Sequence, residues 1–568
     1  MSMQVKKATE QIKNIITGAF NAAIAAGELP EAAIPDFIVE IPADVSHGDY
    51  ATNAAMLGAR AFRKAPRQIA EIISAHFDFA GSYIERSEIA GPGFINFFVS
   101  HSLFEDVLTE VAEKGEKYGR SDMGNGKRVL VEFVSANPTG PMHLGNARGG
   151  AIGDCLAAVL DMAGYYVERE FYVNDAGNQI EKFGLSLDIR YQQLFKGEDA
   201  VELPEDSYHG GDIIDHAKAF AEIYGDSYMD KDESERRKAL VAFALPKNIA
   251  QMKTDIGKYR IEYDTWFLES TLHNSGAVKE TIDILTEKGL TYEKDGAVWY
   301  KATDFGGEKD EVLIRKNGIP TYFAADIAYH RNKFSTRNFD TCINIWGADH
   351  HGHVARLKGA MDAVGLDGSK LDIVLMQLVK LLLDGQPVRM SKRTGKAIQL
   401  ADLLYEVPCD AARFIFNMRD ASSQMDFDIG VAVREDSQNP VYYCQYAHAR
   451  ICSIFRKAQE SGIEFSGATK EQLALLTAPE EIELIRHIAS LTGEVEDAAK
   501  EYAPSRMTRY CIDLASKFHK FYNACYVIEK DNADLTAARL ALCDAARVCL
   551  KNVMTMLKVT VPEHMESK

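Results

Sequence analysis

The run RVLVEFVS (Arg128–Ser135), ANPTGPM (Ala136–Met142) and HLGNARGGAIGDCLAAVLDMAG (His143–Gly164) decides the fold. Its first part is apolar and β-branched, as a buried strand requires. The two prolines and the glycine of Asn137–Pro141 can continue neither a strand nor a helix. The last part repeats apolar residues at helical spacing. Strand, loop and helix in that order make the first step of a βαβ unit. TCINIWG (Thr341–Gly347) and LDIVLMQLV (Leu371–Val379) read as further buried strands, and a helix begins near Thr321. The middle of the chain is therefore expected to be a doubly wound α/β sheet.

Working outward, residues 1–120 open with a helix carrying Ile12, Ile15, Ile16 and Phe20 on one face. Alternating apolar runs follow, FIVEI (Phe37–Ile41) and FINFFV (Phe94–Val99), so this part reads as a small α+β unit. The Gly- and charge-rich Lys114–Lys127 reads as a linker into the α/β unit, 121–438. That unit is interrupted by a helical, acidic insertion at about 196–240. Lys196–Lys238 holds 13 Asp/Glu against 6 Lys/Arg and is expected to project away from the active face. Residues 439–568 are dominated by long helical patterns and read as an all-α bundle.

The 568 residues carry a net charge of −19, so bulk charge disfavours a polyanion, and any nucleic-acid contact must come from a local basic face. The helical tail, with 16 Lys/Arg and 17 Asp/Glu over 440–568, is the electrostatically mildest part. Nine cysteines without a C-x-x-C pair argue against disulfides and a thiolate zinc site. No stretch is apolar enough for a signal peptide or a membrane span, so a soluble, cytoplasmic protein is expected.

Two segments carry chemistry. His143 and Asn146 lie at i and i+3 on one face of a helix start, where free N–H groups and the dipole favour an anion. Gly145 between them lets a flat ring approach the backbone. RMSKRTGKAI (Arg389–Ile398) gathers four cations with Ser391, Thr394 and Gly395 into a basic loop able to close over phosphates. Together they suit a nucleoside triphosphate.

His143-Leu-Gly-Asn146 and Arg389-Met-Ser-Lys-Arg393 resemble the HIGH and KMSKS signatures of class I aminoacyl-tRNA synthetases. With FYVNDAGNQI (Phe171–Ile180), WGADHHGH (Trp346–His353), GDYATNAAM (Gly48–Met56) and GPGFINF (Gly91–Phe97), the chain resembles the bacterial-type arginyl-tRNA synthetases over nearly its whole length. Two departures stand out: the second His of HIGH is Asn146, and KMSKS begins and ends in Arg while keeping Lys392.

The resemblance implies a Rossmann-like class I core that joins L-arginine to ATP, with Mg²⁺ on the nucleotide, and then charges tRNA(Arg). Residues implied at the nucleotide are His143, Gly145, Asn146, Gly347, Asp349, Met390, Ser391 and Lys392, with His143, Asn146 and Lys392 catalytic. Those implied at arginine are Glu132, Ser135, Asn137, Tyr322 and Asp326. A carboxylate at Asp326 can receive the planar guanidinium in a paired geometry that an ammonium cannot match. Glu132, a charge amid apolar neighbours, must be paired, either by the substrate or by an internal salt bridge; the substrate is the favoured partner. Phe94 and Asn96 in the N-terminal unit, and Tyr443, Tyr446, Arg450 and Tyr522 in the tail, are the candidates for tRNA. Arginine activation is expected to require tRNA, no structural metal is expected, and a monomer is the expected state.

Other readings remain. Asp349, His350, His351 and His353 could form a metal cluster, although their spacing fits no standard zinc pattern, and nucleotide contact is preferred. A class I synthetase for cysteine or glutamate, a non-catalytic tRNA-binding paralog and a plain nucleotidyltransferase are the rival functions.

Overall fold

The computed structural model describes residues 2–42, 44–389 and 398–565. Its centre is a five-stranded parallel sheet in the order Leu371–Met376, Thr341–Gly347, Arg128–Glu132, Tyr166–Val173, Thr265–Leu268. The first strand in sequence is the middle one, and the sheet grows from it in both directions. The carboxyl ends of Arg128–Glu132 and Thr341–Gly347 thus meet at the point where the strand order reverses, where ligands bind in such sheets.

The first strand is shorter than its apolar run predicts. It stops at Glu132 because Val134 and Ser135 take left-handed backbone angles, φ 69° and 45°. A β-branched residue in that region is strained, and strain of this kind gathers at functional sites. The helix that follows, Leu144–Met162, lies very close to the sheet. A Cβ on Gly153 would overlap the Phe133 side chain, and one on Gly150 would come within 2.8 Å of Ile261 Cδ1. The glycines of GGAIG are what allow that close packing.

LDIVLMQLV is two strands rather than one. Leu371–Met376 ends at Gln377, and Val379–Leu383 turns into a second sheet with Gln386–Pro387 and Met425–Asp428. The break is held by Arg148, fully buried, which donates to the carbonyls of Gln377 (2.7 Å), Asp420 (2.9 Å) and Ser423 (2.9 Å).

The N-terminal unit is a four-stranded antiparallel sheet, 39–40, 50–52, 94–99 and 84–90 in spatial order, packed under helices that include Met3–Ala25 and Ser102–Lys114. Four long helices build the tail: Pro440–Glu460, Pro479–Glu501, Ser505–Ala524 and Ala533–Met556. Among the described residues, no helix is long and apolar enough to cross a membrane.

Tail and sheet unit share a buried ionic joint. Asp154 accepts from Arg169 Nε at 2.8 Å and from Arg413 Nη2 at 2.5 Å. Arg413 also donates to the carbonyls of Tyr259 (2.9 Å) and Leu557 (2.7 Å), the latter in the tail. Removing one partner of a buried pair leaves the other uncompensated. Arg413→Ala is therefore expected to cost about 3 kcal/mol of stability, read as a lower urea midpoint; an unchanged midpoint would contradict the joint's role.

Candidate active site

Above the reversal point lies a cleft of about 1000 Å³. It is lined by Ser135 and Asn137 from the loop, by His143, Gly145 and Asn146 from the helix start, and by Gly347 from the neighbouring strand end. The backbone N–H of His143 donates to Asn146 Oδ1 at 2.9 Å, so the asparagine that replaces the second His caps its own helix. Its amide nitrogen remains a donor. A Cβ on Gly145 would meet nothing within 4 Å, so this glycine leaves open space beside the cleft rather than serving a packing contact.

The two motif regions meet here. Leu144 N donates to Ile398 O at 3.1 Å, Leu400 N donates to Met142 O at 2.9 Å, and His143 pairs with Gln399 in an antiparallel bridge. Ile398, which ends the RMSKRTGKAI run, lines the cleft. Met390, Ser391 and Lys392 lie outside the described residues.

A second cavity, about 500 Å³, adjoins the first through His350, which lines both. Tyr322, Asp326 and Asp349 line it. Gly347 and Asp349, assigned together to the nucleotide, thus fall on different cavities, with Asp349 beside the arginine candidates. Tyr322 and Asp326 sit in the first turns of Tyr322–Arg331, whose start is capped by Thr321 Oγ1. Tyr322 OH accepts from Gln179 N at 3.2 Å, and Asp326 Oδ2 pairs with His353 Nε2 at 2.8 Å. The contacts of His353 are to side chains, and among the described residues no group of three His, Cys, Asp or Glu is arranged to hold a metal.

Glu132 finds the internal one of its two expected partners. It lines neither cavity, and its partner is internal: Lys333 Nζ, itself fully buried, donates to Glu132 Oε2 at 2.6 Å. Ser135 Oγ donates to Glu132 Oε1 at 3.0 Å and accepts from Tyr172 N at 3.1 Å. Lys333 comes from a π-turn, Asn332–Thr336, that continues the helix Tyr322–Arg331 and turns the lysine inward.

From Lys333 the hydrogen bonds run in one sense. Lys333 donates to Asn344 Oδ1 (3.0 Å), and Asn344 Nδ2 donates to His330 Nε2 (2.7 Å). His330 must then carry its proton on Nδ1, which meets the backbone carbonyl of Asp326 at 2.9 Å. Burial, with Lys333 nearby, pushes the His330 imidazole down to about 3. The unfolded imidazole titrates near its ordinary 6.5, so between those values the unfolded chain binds more protons. Stability from this group is complete above pH 6.5 and is lost as pH falls towards 3, by up to about 1.4 kcal/mol per unit. His519, pushed down to about 4 by burial and Arg450, acts in the same direction. The urea midpoint is therefore expected to drop between about pH 7.5 and about pH 5.5, and a constant midpoint would contradict this.

The insertion also departs from expectation. Tyr208 and Asp212 line the cleft instead of facing away from it, beside Gln179 of the preceding helix. Asn248, just beyond it on the helix Glu233–Lys258, donates through Nδ2 to Pro138 O at 2.9 Å and pairs through Oδ1 with His216 Nε2 of the insertion at 2.7 Å. A net charge describes the solvated surface of such an insertion but not which of its ends abuts the site.

Of the RNA candidates, Asn96 is 5% exposed and sits within its sheet, so its side chain is not presented to a partner. Phe94 is half-buried. In the tail, Tyr446, Arg450 and Tyr522 line a cavity of about 310 Å³ together with Arg456 and Lys457. The Arg450 guanidinium lies 4.7 Å from the Tyr446 ring and 5.1 Å from that of Tyr522, and donates to Tyr446 OH. Tyr443 packs against His519 at 5.1 Å, outside that cavity.

Three family models match the chain in succession: the arginyl tRNA synthetase N terminal domain over 8–99, the class I (R) tRNA synthetase catalytic domain over 107–428, and the DALR anticodon binding domain over 444–565. The arginine--tRNA ligase of Acetivibrio thermocellus is 54% identical over 565 residues, covering 100% of both chains. The chain belongs to the arginyl-tRNA synthetase family. The arginine--tRNA ligase of Caldanaerobacter subterraneus, another member, is 56% identical over 561 residues and 99% of each chain. The arginyl-tRNA synthetase of Thermus thermophilus shares the fold, with a TM-score of 0.72 at 21% identity over 96% of this chain and 99% of that one.

Proposed function

We infer that this chain is an arginine–tRNA ligase, which activates L-arginine with ATP and transfers it to tRNA(Arg). The observation that supports this most is the pair of adjoining cavities. One is walled by the helix start that carries His143 and Asn146, the other carries a half-buried carboxylate and a phenol on one helix face. In the first step a carboxylate oxygen of arginine bonds to the α-phosphorus, and the bond from that phosphorus to the bridging oxygen breaks, releasing pyrophosphate. Both reactants are anions, so the protein's work is to hold them in line and to offset the charge growing on the phosphate oxygens. The His143 imidazole and the Asn146 amide are assigned to that charge from one side, with Gly145 giving the nucleotide room. Lys392, six positions before Ile398 in the sequence, is assigned to the other. Asp212 on the cleft wall is a carboxylate suited to the Mg²⁺ that accompanies ATP.

Asp326 is assigned to the guanidinium and Tyr322 to its planar face, with Ser135 and Asn137 beside the reacting end. Asp349 lies near the join between the cavities, in reach of either substrate. In the tail, Tyr446, Arg450 and Tyr522 are assigned to unpaired tRNA bases, which stack on aromatic and guanidinium planes. The division into 1–120, 121–438 and 439–568 is supported by the step from the last strand, Met425–Asp428, to the first long helix, Pro440–Glu460. The test is to charge total tRNA with radiolabelled arginine, lysine, cysteine or glutamate. Arginine alone should become acid-precipitable, and incorporation of another of the four in its place would refute the assignment.

A further inference from the structure

Asp326 does not stand alone in its cavity. His353, which it meets through Nε2, is wedged between the Phe323 ring (5.7 Å) and the Trp346 ring (5.5 Å), so its plane is set by packing. Its other nitrogen, Nδ1, receives the Nε–H of Arg356. Arg356 is in turn held by Glu311, whose Oε1 accepts from Nη1 at 2.8 Å, and lies 5.4 Å from the Phe323 ring. Glu311, Arg356, His353 and Asp326 thus form one chain across the strand Glu311–Ile314, the helix His351–Ala363 and the helix Tyr322–Arg331.

The chain fixes a proton. A guanidinium can only donate, so His353 Nδ1 must present its lone pair, and the ring's one proton sits on Nε2. That N–H points at Asp326 Oδ2 and pins the carboxylate. Among the described residues no hydrogen bond engages Oδ1, which is left to the cavity. A neutral donor of this kind orients a carboxylate without cancelling its charge, whereas a resident cation at the same place would compete with the substrate's own.

We propose that Arg356 and His353 are positioning residues of the arginine site: Arg356 selects the His353 tautomer, and His353 holds Asp326 in the orientation that receives a guanidinium. The inference rests on the assignment of Asp326 to the substrate guanidinium. Losing a hydrogen bond to a charged group typically matters by about 10- to 100-fold.

The test is steady-state aminoacylation by the full-length protein, with arginine and ATP varied separately, for Asp326→Ala, His353→Phe, His353→Gln and Arg356→Met. His353→Phe keeps a flat ring between Phe323 and Trp346 but removes the donor; it should raise the KM for arginine at least about tenfold, with the KM for ATP within about twofold. His353→Gln restores an N–H donor and should return the arginine KM to within about threefold of wild type. Arg356→Met should fall between the two. If Asp326→Ala raises the arginine KM but His353→Phe does not, the positioning role fails and the guanidinium assignment stands. If Asp326→Ala leaves it unchanged, both fail. A His353→Phe defect shared equally by arginine, ATP and kcat and not relieved by Gln would mark a packing role instead and overturn the proposal.

Discussion

Asp326→Ala is expected to raise the KM for arginine on the order of a hundredfold, while the KM for ATP stays within about twofold. The carboxylate side chain is 33% exposed, on the wall of its cavity, with one oxygen already committed to His353. A guanidinium leaving water for that place depends on a charged acceptor to replace its hydration. Truncating one side of such a pair costs roughly 3 kcal/mol, which is about two decades of affinity. The fold should be unaffected, because the helix is capped by Thr321 and its backbone carbonyl at Asp326 is still held by His330. Initial rates of tRNA charging over a range of arginine concentrations measure this directly. An unaltered arginine dependence would remove Asp326 from the substrate site.

Lys392→Ala is expected to slow adenylation by about 10²–10³-fold with arginine binding near normal. The two reacting groups repel each other, and the charge on the departing pyrophosphate grows through the transition state. A cation engaged most strongly at that moment raises kcat rather than lowering KM. The lysine lies outside the described residues, yet the end of its segment is joined to the helix start through Leu144 and Ile398. Single-turnover formation of arginyl-tRNA from preformed complex isolates the step. A wild-type single-turnover rate would mean that the basic segment serves another purpose.

What could be read from the sequence was local. The order strand, Pro-Gly loop, glycine-rich helix implied the parallel sheet, and His143, Gly145 and Asn146 emerged as neighbours because three or four residues of helix place them so. Tyr322 and Asp326 followed from the same rule. What escaped was set by residues distant in sequence. Glu132 had to be paired, but its partner Lys333 is 201 positions away and reaches it only because a π-turn redirects the helix. The bond from His353 to Asp326 joins two helices whose relative placement no spacing rule supplies. The end of the first strand was misplaced for a different reason: nothing in Val134 or Ser135 announces a positive φ, which both residues disfavour and which the surrounding fold imposes. Asn96 was a tRNA candidate only through the family resemblance, and nothing in FINFF foretold that its side chain would be buried in the sheet.

The contact between Arg413 and the carbonyl of Leu557 bears on how freely such proteins can exchange parts. A chimera that took its C-terminal helical domain from a relative would inherit a new helix end beneath a guanidinium that also grips Asp154, on the helix whose first turn borders the larger cleft. Because the acceptor is a main-chain carbonyl, a graft that kept the position of that helix end would keep the bond, whereas a shifted end would be felt at the cleft as well as at the junction. Swaps should therefore depend on the whole seam, where Asp410 also holds Thr560 and Gln445 and Arg260 reaches the Lys558 carbonyl.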